Sequence, residues 1–215
     1  MRSASVKASA VIVSLGGLTA LVGWALDIQV LKSVVPGWVT IKIITAACFV
    51  MSGALLYLME WVHGHDEEDL SIGGLPILSL VVVTLLSTLV VGSLLGIQGG
   101  GETITVRNAA GSFLAVVPRG PSIATVVAFV LVVLSGFMAS LPSRGVFLAR
   151  AVCGYLVAAI GACALVGYSV GMPIMFYYVP DTSSSMALNT AILFVFLGIG
   201  LVLSVPWTDG AQTRK

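Results

Sequence analysis

Pro76-Ile-Leu-Ser-Leu-Val-Val-Val-Thr-Leu-Leu-Ser-Thr-Leu-Val-Val-Gly-Ser-Leu-Leu-Gly-Ile97 runs for 22 residues without a charged side chain. A helix of that length covers about 33 Å, enough to cross the roughly 30 Å hydrocarbon core of a bilayer. Working outward, comparable apolar stretches occupy residues 8–26, 38–62, 121–141, 145–172 and 187–205, so the sequence predicts six membrane-crossing helices. Composition agrees: 58% of the 215 residues are hydrophobic and 9% charged, with a mean hydropathy of +1.10, where an ordinary globular chain carries about 25% charged residues. Too few charges exist to clothe a soluble fold of this size. The expected fold is therefore all-α, a polytopic membrane protein forming one integral domain over residues 1–215, with the lipid bilayer as its first partner.

Several functions are excluded at this level. A net charge of +1 supplies no basic field, so nucleic acid is not a partner. Cys48, Cys153 and Cys163 lie in apolar runs and form no C-x-x-C pair, which reads as buried small hydrophobes rather than disulfide or metal chemistry. The two histidines, His63 and His65, stand together outside the spans, so a haem held by two membrane histidines is ruled out. No Ser-His or Cys-His arrangement, buried carboxylate pair or phosphate loop is legible, and the reading is a non-enzyme without a cofactor. The first span follows Arg2 and Lys7 as a signal peptide would, but it is long for one, lacks a small-x-small cleavage site, and takes part in an internal repeat.

Orientation follows from the flanks. With the amino terminus inside, Arg2, Lys7, Arg144, Arg150, Arg214 and Lys215 fall on the inner side, against Lys32, Lys42, Arg107 and Arg119 outside. That excess places both termini in the cytoplasm and the chain in a bacterial inner membrane. Trp24, Trp38, Trp61 and Trp207 fall at span ends, as interface anchors do.

The odd spans end alike, in Gly23-Trp-Ala-Leu-Asp27-Ile28, Gly92-Ser-Leu-Leu-Gly96-Ile97 and Gly167-Tyr-Ser-Val-Gly171-Met172. The even spans begin alike, in Thr45-Ala-Ala-Cys-Phe49, Thr125-Val-Val-Ala-Phe129 and Thr190-Ala-Ile-Leu-Phe194, each with a glycine following at Gly53, Gly136 or Gly198. Six helices thus read as three repeated helical hairpins. Residues four apart share a helix face, so each hairpin offers a hydroxyl near its outer end and an aromatic ring one turn deeper. Small residues at these positions also serve close helix packing.

The segment from Leu21 to Phe49, which includes Gly23-Trp24-Ala25-Leu26-Asp27 and Thr45-Ala46-Ala47, and the segment from Met186 to Leu203, with Asn189-Thr190-Ala191, carry a resemblance. Both are similar to the multi-helix amino-terminal membrane input region of bacterial sensor histidine kinases and diguanylate cyclases. Family members open their even helices with Asn-Thr-Ala, often after a basic residue and proline; Lys42 and Asn189-Thr190-Ala191 keep parts of that pattern, whereas Ile43, Ile44 and Ala124-Thr125-Val126 depart from it. In the family the last helix leads into a catalytic output domain, whereas ten residues follow Val205 here. The resemblance implies a sensory module that signals through a protein partner, a signalling enzyme.

Two groups of polar residues are candidate sites. Asp27 at the end of the first span and Lys42 at the start of the second would meet across a hairpin, either pinning it or joining Thr45, Thr125 and Thr190 in an outward-facing ligand site. The run His63-Gly-His65-Asp66-Glu67-Glu68-Asp69 gathers imidazoles and carboxylates able to hold a divalent ion weakly or to dock a basic partner, although it matches no metal-site motif. Between the third and fourth spans, Glu102 to Arg107 alternates and Ser112 to Val117 can return as a second strand. The competing readings are an accessory or assembly subunit of a larger membrane complex and a transporter of an apolar small molecule. The latter lacks mid-membrane charges or helix breaks, since the prolines sit at span ends or in loops.

Overall fold

The computed structural model describes residues 2–33, 39–65, 74–94, 104–107, 113–116, 122–141, 143–176 and 185–206. Six long helices carry the fold: α1 (Arg2–Ala25), α3 (Ile43–His65), α4 (Leu75–Leu94), α5 (Ile123–Met138), α6 (Arg144–Val170) and α7 (Leu188–Leu203). A single-turn helix α2 (Gln29–Lys32) follows α1, and a 3-10 turn (Pro173–Phe176) follows α6. Each long helix falls within a few residues of an expected apolar stretch. Two short strands, β1 (Ile104–Arg107) and β2 (Phe113–Val116), pair antiparallel with Ile104 opposite Val116, where alternation in the sequence predicts them.

Three helices are long and apolar enough to cross a membrane: α1, α3 through Val62, and α6 from Gly145. The described apolar stretches of the other three, Leu75–Thr88, Ile123–Met138 and Leu188–Leu203, are shorter, although α4 itself runs 20 residues to Leu94. Of the six expected spans, three are thus long and apolar enough by themselves to cross a membrane. Hydropathy alone overstates span length because apolar residues that flank a helix, such as Pro121 and Leu141, count toward the stretch without adding to the helix.

The helices form a closed ring in the order α1, α3, α4, α5, α6, α7, each packing on the next and α7 returning to α1. Helices α3, α5 and α7 also touch one another, so they form an inner triangle with α1, α4 and α6 outside it. Phe49, Phe129 and Phe194, one from each inner helix, meet at the centre. Their ring centroids lie 4.9, 4.8 and 5.0 Å apart pairwise, edge-on or tilted, the geometry that aromatic quadrupoles favour.

Glycine decides how closely the helices approach. A methyl group on Gly17 of α1 would stand 2.6 Å from the Ala46 carbonyl oxygen, and one on Gly161 of α6 would stand 2.6 Å from that of Ala191. Backbone therefore lies against backbone at both the α1–α3 and α6–α7 contacts, which any side chain would prevent. In α4, the residue as far before Gly92 as Gly17 is before Gly23 is Leu86, which is buried. The α4–α5 contact therefore cannot close by the same device.

The matching ends of α1 and α6 have a structural reason. Both helices close with a residue in the left-handed region, Asp27 (φ 55°) and Gly171 (φ 71°). The next amide bonds back to the glycine carbonyl, Ile28 N to Gly23 O at 2.8 Å and Met172 N to Gly167 O at 2.9 Å, the six-to-one bond of a Schellman cap. The chain then turns back over the helix end. A methyl group at Gly23 would lie 2.6 Å from Leu31 Cβ, and one at Gly167 lies the same distance from Met175 Cβ. The first glycine leaves room for the returning turn, and the fifth residue takes the left-handed conformation. The corresponding Gly96-Ile97 lies outside the described residues.

Candidate functional site

At the end of the bundle that carries Asp27, Trp24 and Tyr168 occupy matching places one residue after Gly23 and Gly167. The Trp24 indole N–H donates to the Ile41 carbonyl at 2.8 Å, and the Tyr168 hydroxyl donates to the Met186 carbonyl at 2.6 Å. Each clasps the segment leading into the next inner helix. Backbone bonds repeat the clasp, Ile41 N to Lys32 O at 3.0 Å and Met186 N to Phe176 O at 2.9 Å. Lys32 lies over the Trp24 ring at 4.5 Å, and Phe176 stacks on Tyr168 at 4.5 Å. Trp24 is thus a hairpin clasp, a role beyond that of interface anchor; Trp38 and Trp207 lie outside the described residues.

The carboxylate of Asp27 is held by Lys32, not by Lys42 as the hairpin argument expects. The reason is local: the left-handed turn at Asp27 folds α2 back, which brings the residue five positions on beneath the carboxylate before the chain reaches Lys42. The Lys32 side chain is 5% exposed and that of Asp27 is 87% exposed. The ammonium is therefore buried between a carboxylate and an indole face, while the carboxylate meets solvent. Lys32 holds the Asp27 carboxyl below its ordinary value of 3.8, first through the hydrogen bond and second through its charge. The sequence reading missed Lys32 as a site residue, because a pairing five apart across a cap shows in no helical or strand period.

Thr45, Thr125 and Thr190 are 5%, 4% and 2% exposed, and each is the third residue of its helix. Each precedes by one turn a phenylalanine of the central triad on the same face. They therefore surround the same axis, about 6 Å nearer the Asp27 end than the rings. Asn189 joins the site to the clasp, donating from Nδ2 to the Lys32 carbonyl at 3.2 Å and accepting from the Thr190 amide at 3.0 Å. Lys42 directly precedes α3 and is half-buried.

Electrostatically, the amino-terminal turns of α3, α5 and α7 converge at this end. Their free amide groups and aligned peptide dipoles make the centre positive. The N-cap residues of α5 and α7, Ser122 and Ala187, make no side-chain cap bond, and the buried Ser122 hydroxyl has no partner; in α7 Asn189 Oδ1 takes up one first-turn amide, that of Thr190. Three buried threonines thus stand one turn above three touching aromatic rings, at the end where helix amino termini converge.

The second candidate group falls largely beyond view. Helix α3 continues through His63 and His65, while Asp66, Glu67, Glu68 and Asp69 lie outside the described residues. Among the described residues no cluster of three metal-ligating side chains occurs.

No family model, curated protein or solved structure matches this chain.

Proposed function

We propose that the chain is a six-span membrane bundle of three related hairpins in a bacterial inner membrane, working as a non-enzymatic signal-input module through a protein partner. The observation that carries this reading is the layered centre of the Asp27 end, with three threonines on one level and three mutually touching phenylalanines on the next. One such pair comes from each hairpin. The shared cap, clasp and glycine contacts of the α1–α3 and α6–α7 pairs support a repeat. The shorter apolar helices α5 and α7 belong to the inner triangle, where protein covers much of their surface and a full lipid-facing length is not required. A signal-input bundle needs two packings of similar energy and a ligand that prefers one. Close backbone contacts at glycine allow small shifts of one helix on another between such packings.

Gentle extraction of the tagged protein from its native membrane, followed by mass spectrometry of what accompanies it, tests the partner. A histidine kinase, cyclase or response regulator in fixed ratio is expected. Recovery with subunits of a transporter or respiratory assembly would overturn the signalling reading in favour of an accessory subunit. For the membrane topology, single cysteines at Ser71 and Ser112, in a background lacking Cys48, Cys153 and Cys163, should be labelled from opposite sides of the membrane. Labelling from one side sinks the six-span arrangement.

A further inference from the structure

Arg150, near the start of α6, is fully buried and is among the largest such side chains in the protein. Its Nη2 donates to the Ser204 hydroxyl at 3.2 Å, and its other contact is the weak acceptor Met59 Sδ at 3.9 Å. Nε and Nη1 have no hydrogen-bond partner. Among the described residues no carboxylate meets this guanidinium; the ion pair seen among them is that of Lys32 with Asp27. Among the described residues Arg2, at the exposed start of α1, lies close enough to repel it.

Packing does not require an arginine here. Arg150 precedes Gly167 by the same interval as Val6 precedes Gly23 and Leu75 precedes Gly92, and Val6 and Leu75 are 0% and 1% exposed. At corresponding sequence positions the outer helices thus bury a valine, a leucine and an arginine. Where two helices use an aliphatic side chain, the third places a charge with most of its donors idle. A buried charge without a partner is strongly unfavourable, so this departure calls for an anion.

We propose that Arg150 is the anchor of a phosphate-binding site at the end of the bundle opposite Asp27, taking the phosphoryl oxygens of a lipid headgroup or of free phosphate. A guanidinium offers five N–H donors in a rigid planar fork that matches a multi-oxygen anion, and at least the three on Nε and Nη1 are uncommitted. An oxyanion would satisfy those donors and screen Arg2 from Arg150 in one step. Depth agrees with phosphate: Arg150 lies six residues into α6, about 9 Å along its axis, within side-chain reach of a headgroup layer. Basic pockets between membrane helices on the cytoplasmic side take phosphate headgroups in this way. The site lies at the opposite end from the threonine ring and does not depend on the signalling reading.

The test uses the whole chain, delipidated in a neutral maltoside detergent, with thermal unfolding as the readout. Phosphatidylglycerol or sodium phosphate is added, against phosphatidylcholine and sodium chloride at matched ionic strength. A rise in Tm that grows with the logarithm of ligand concentration above Kd is expected, roughly 5–10 °C at a hundredfold excess. A rise with phosphatidylglycerol but not with phosphate identifies a lipid headgroup, and a rise with free phosphate alone identifies a soluble ligand. Arg150→Leu, copying Leu75, should fold with unchanged helicity, be no less stable without anion, and lose the rise entirely. Arg150→Lys keeps the charge but not the fork and should bind at least tenfold more weakly, which keeps the proposal testable if the leucine variant does not fold. Equal shifts with chloride, no shift with either phosphate source, or full retention of the rise in Arg150→Leu would overturn it.

Discussion

A methyl group at Gly17 probes the α1–α3 contact directly. It would stand 2.6 Å from the Ala46 carbonyl oxygen and 2.9 Å from the Val50 nitrogen, where ordinary contact begins at 3.4 Å. Both obstacles are backbone and cannot swing aside, so α1 and α3 must separate by about 0.8 Å, loosening the contacts on either side. Overpacking of this kind costs about 1–3 kcal/mol, against which alanine recovers about 0.5–1 kcal/mol of helix propensity. Gly161→Ala should behave alike, because Ala191 O and Val195 N stand 2.6 and 3.0 Å from its added methyl. Gly145, also within a helix, has nothing within 4 Å of an added methyl, so Gly145→Ala should be neutral or slightly stabilising. Titrating sodium dodecyl sulfate into the protein in mild detergent, with helicity followed by circular dichroism, measures all three on one scale. If Gly17→Ala and Gly145→Ala unfold together, the two backbones are not in contact and the account of the hairpin fails.

The remaining predictions concern the centre and the Asp27 end. Phe129→Ala should cost about 3–5 kcal/mol in the same assay, since it empties a fully buried site and removes two aromatic pairings; an unchanged midpoint would mean the triad contributes no packing. Because the Asp27 carboxyl is held below 3.8, the stabilisation from its pairing is present at neutral pH and is lost as pH falls through that lowered value. Asp27→Asn, which keeps a residue tolerant of the left-handed turn, should lower stability at pH 7 and converge with the wild type at low pH; curves that stay parallel would show the pair to be inert. Replacing Thr45, Thr125 and Thr190 together by valine should leave the bundle folded while abolishing signalling by a reconstituted partner. Loss of folding would make them packing residues.

Much of the fold was legible because membrane helices leave long, uninterrupted apolar runs, and because two kinds of residue repeat for local reasons. Gly23 and Gly167 mark a cap at which the chain must pass close over the helix end, and the residue four on must turn left-handed; both demands act within a few residues and so show in sequence. Thr45 and Phe49, with their counterparts, share a face by helical period alone. Run length overstated the helices at 121–141 and 187–205, since an apolar flank and an apolar helix read alike.

Other features had no local trace. That three phenylalanines 145 residues apart at the extremes meet at ring contact depends on the inner triangle closing, which no single segment specifies. Lys32 replaced Lys42 as the partner of Asp27 because a turn reversed the chain sooner than hairpin spacing suggests. Arg150 reads as one more inner-side positive charge; only the packing of α3, α6 and α7 buries it beside Ser204 and Met59 and leaves its donors unmet. Sequence by itself determined where helices lie and where they turn, because hydrophobic run length and cap chemistry act over a few residues. The tertiary structure decided which side chains share a centre, because burial and partnership depend on helices far apart in the chain.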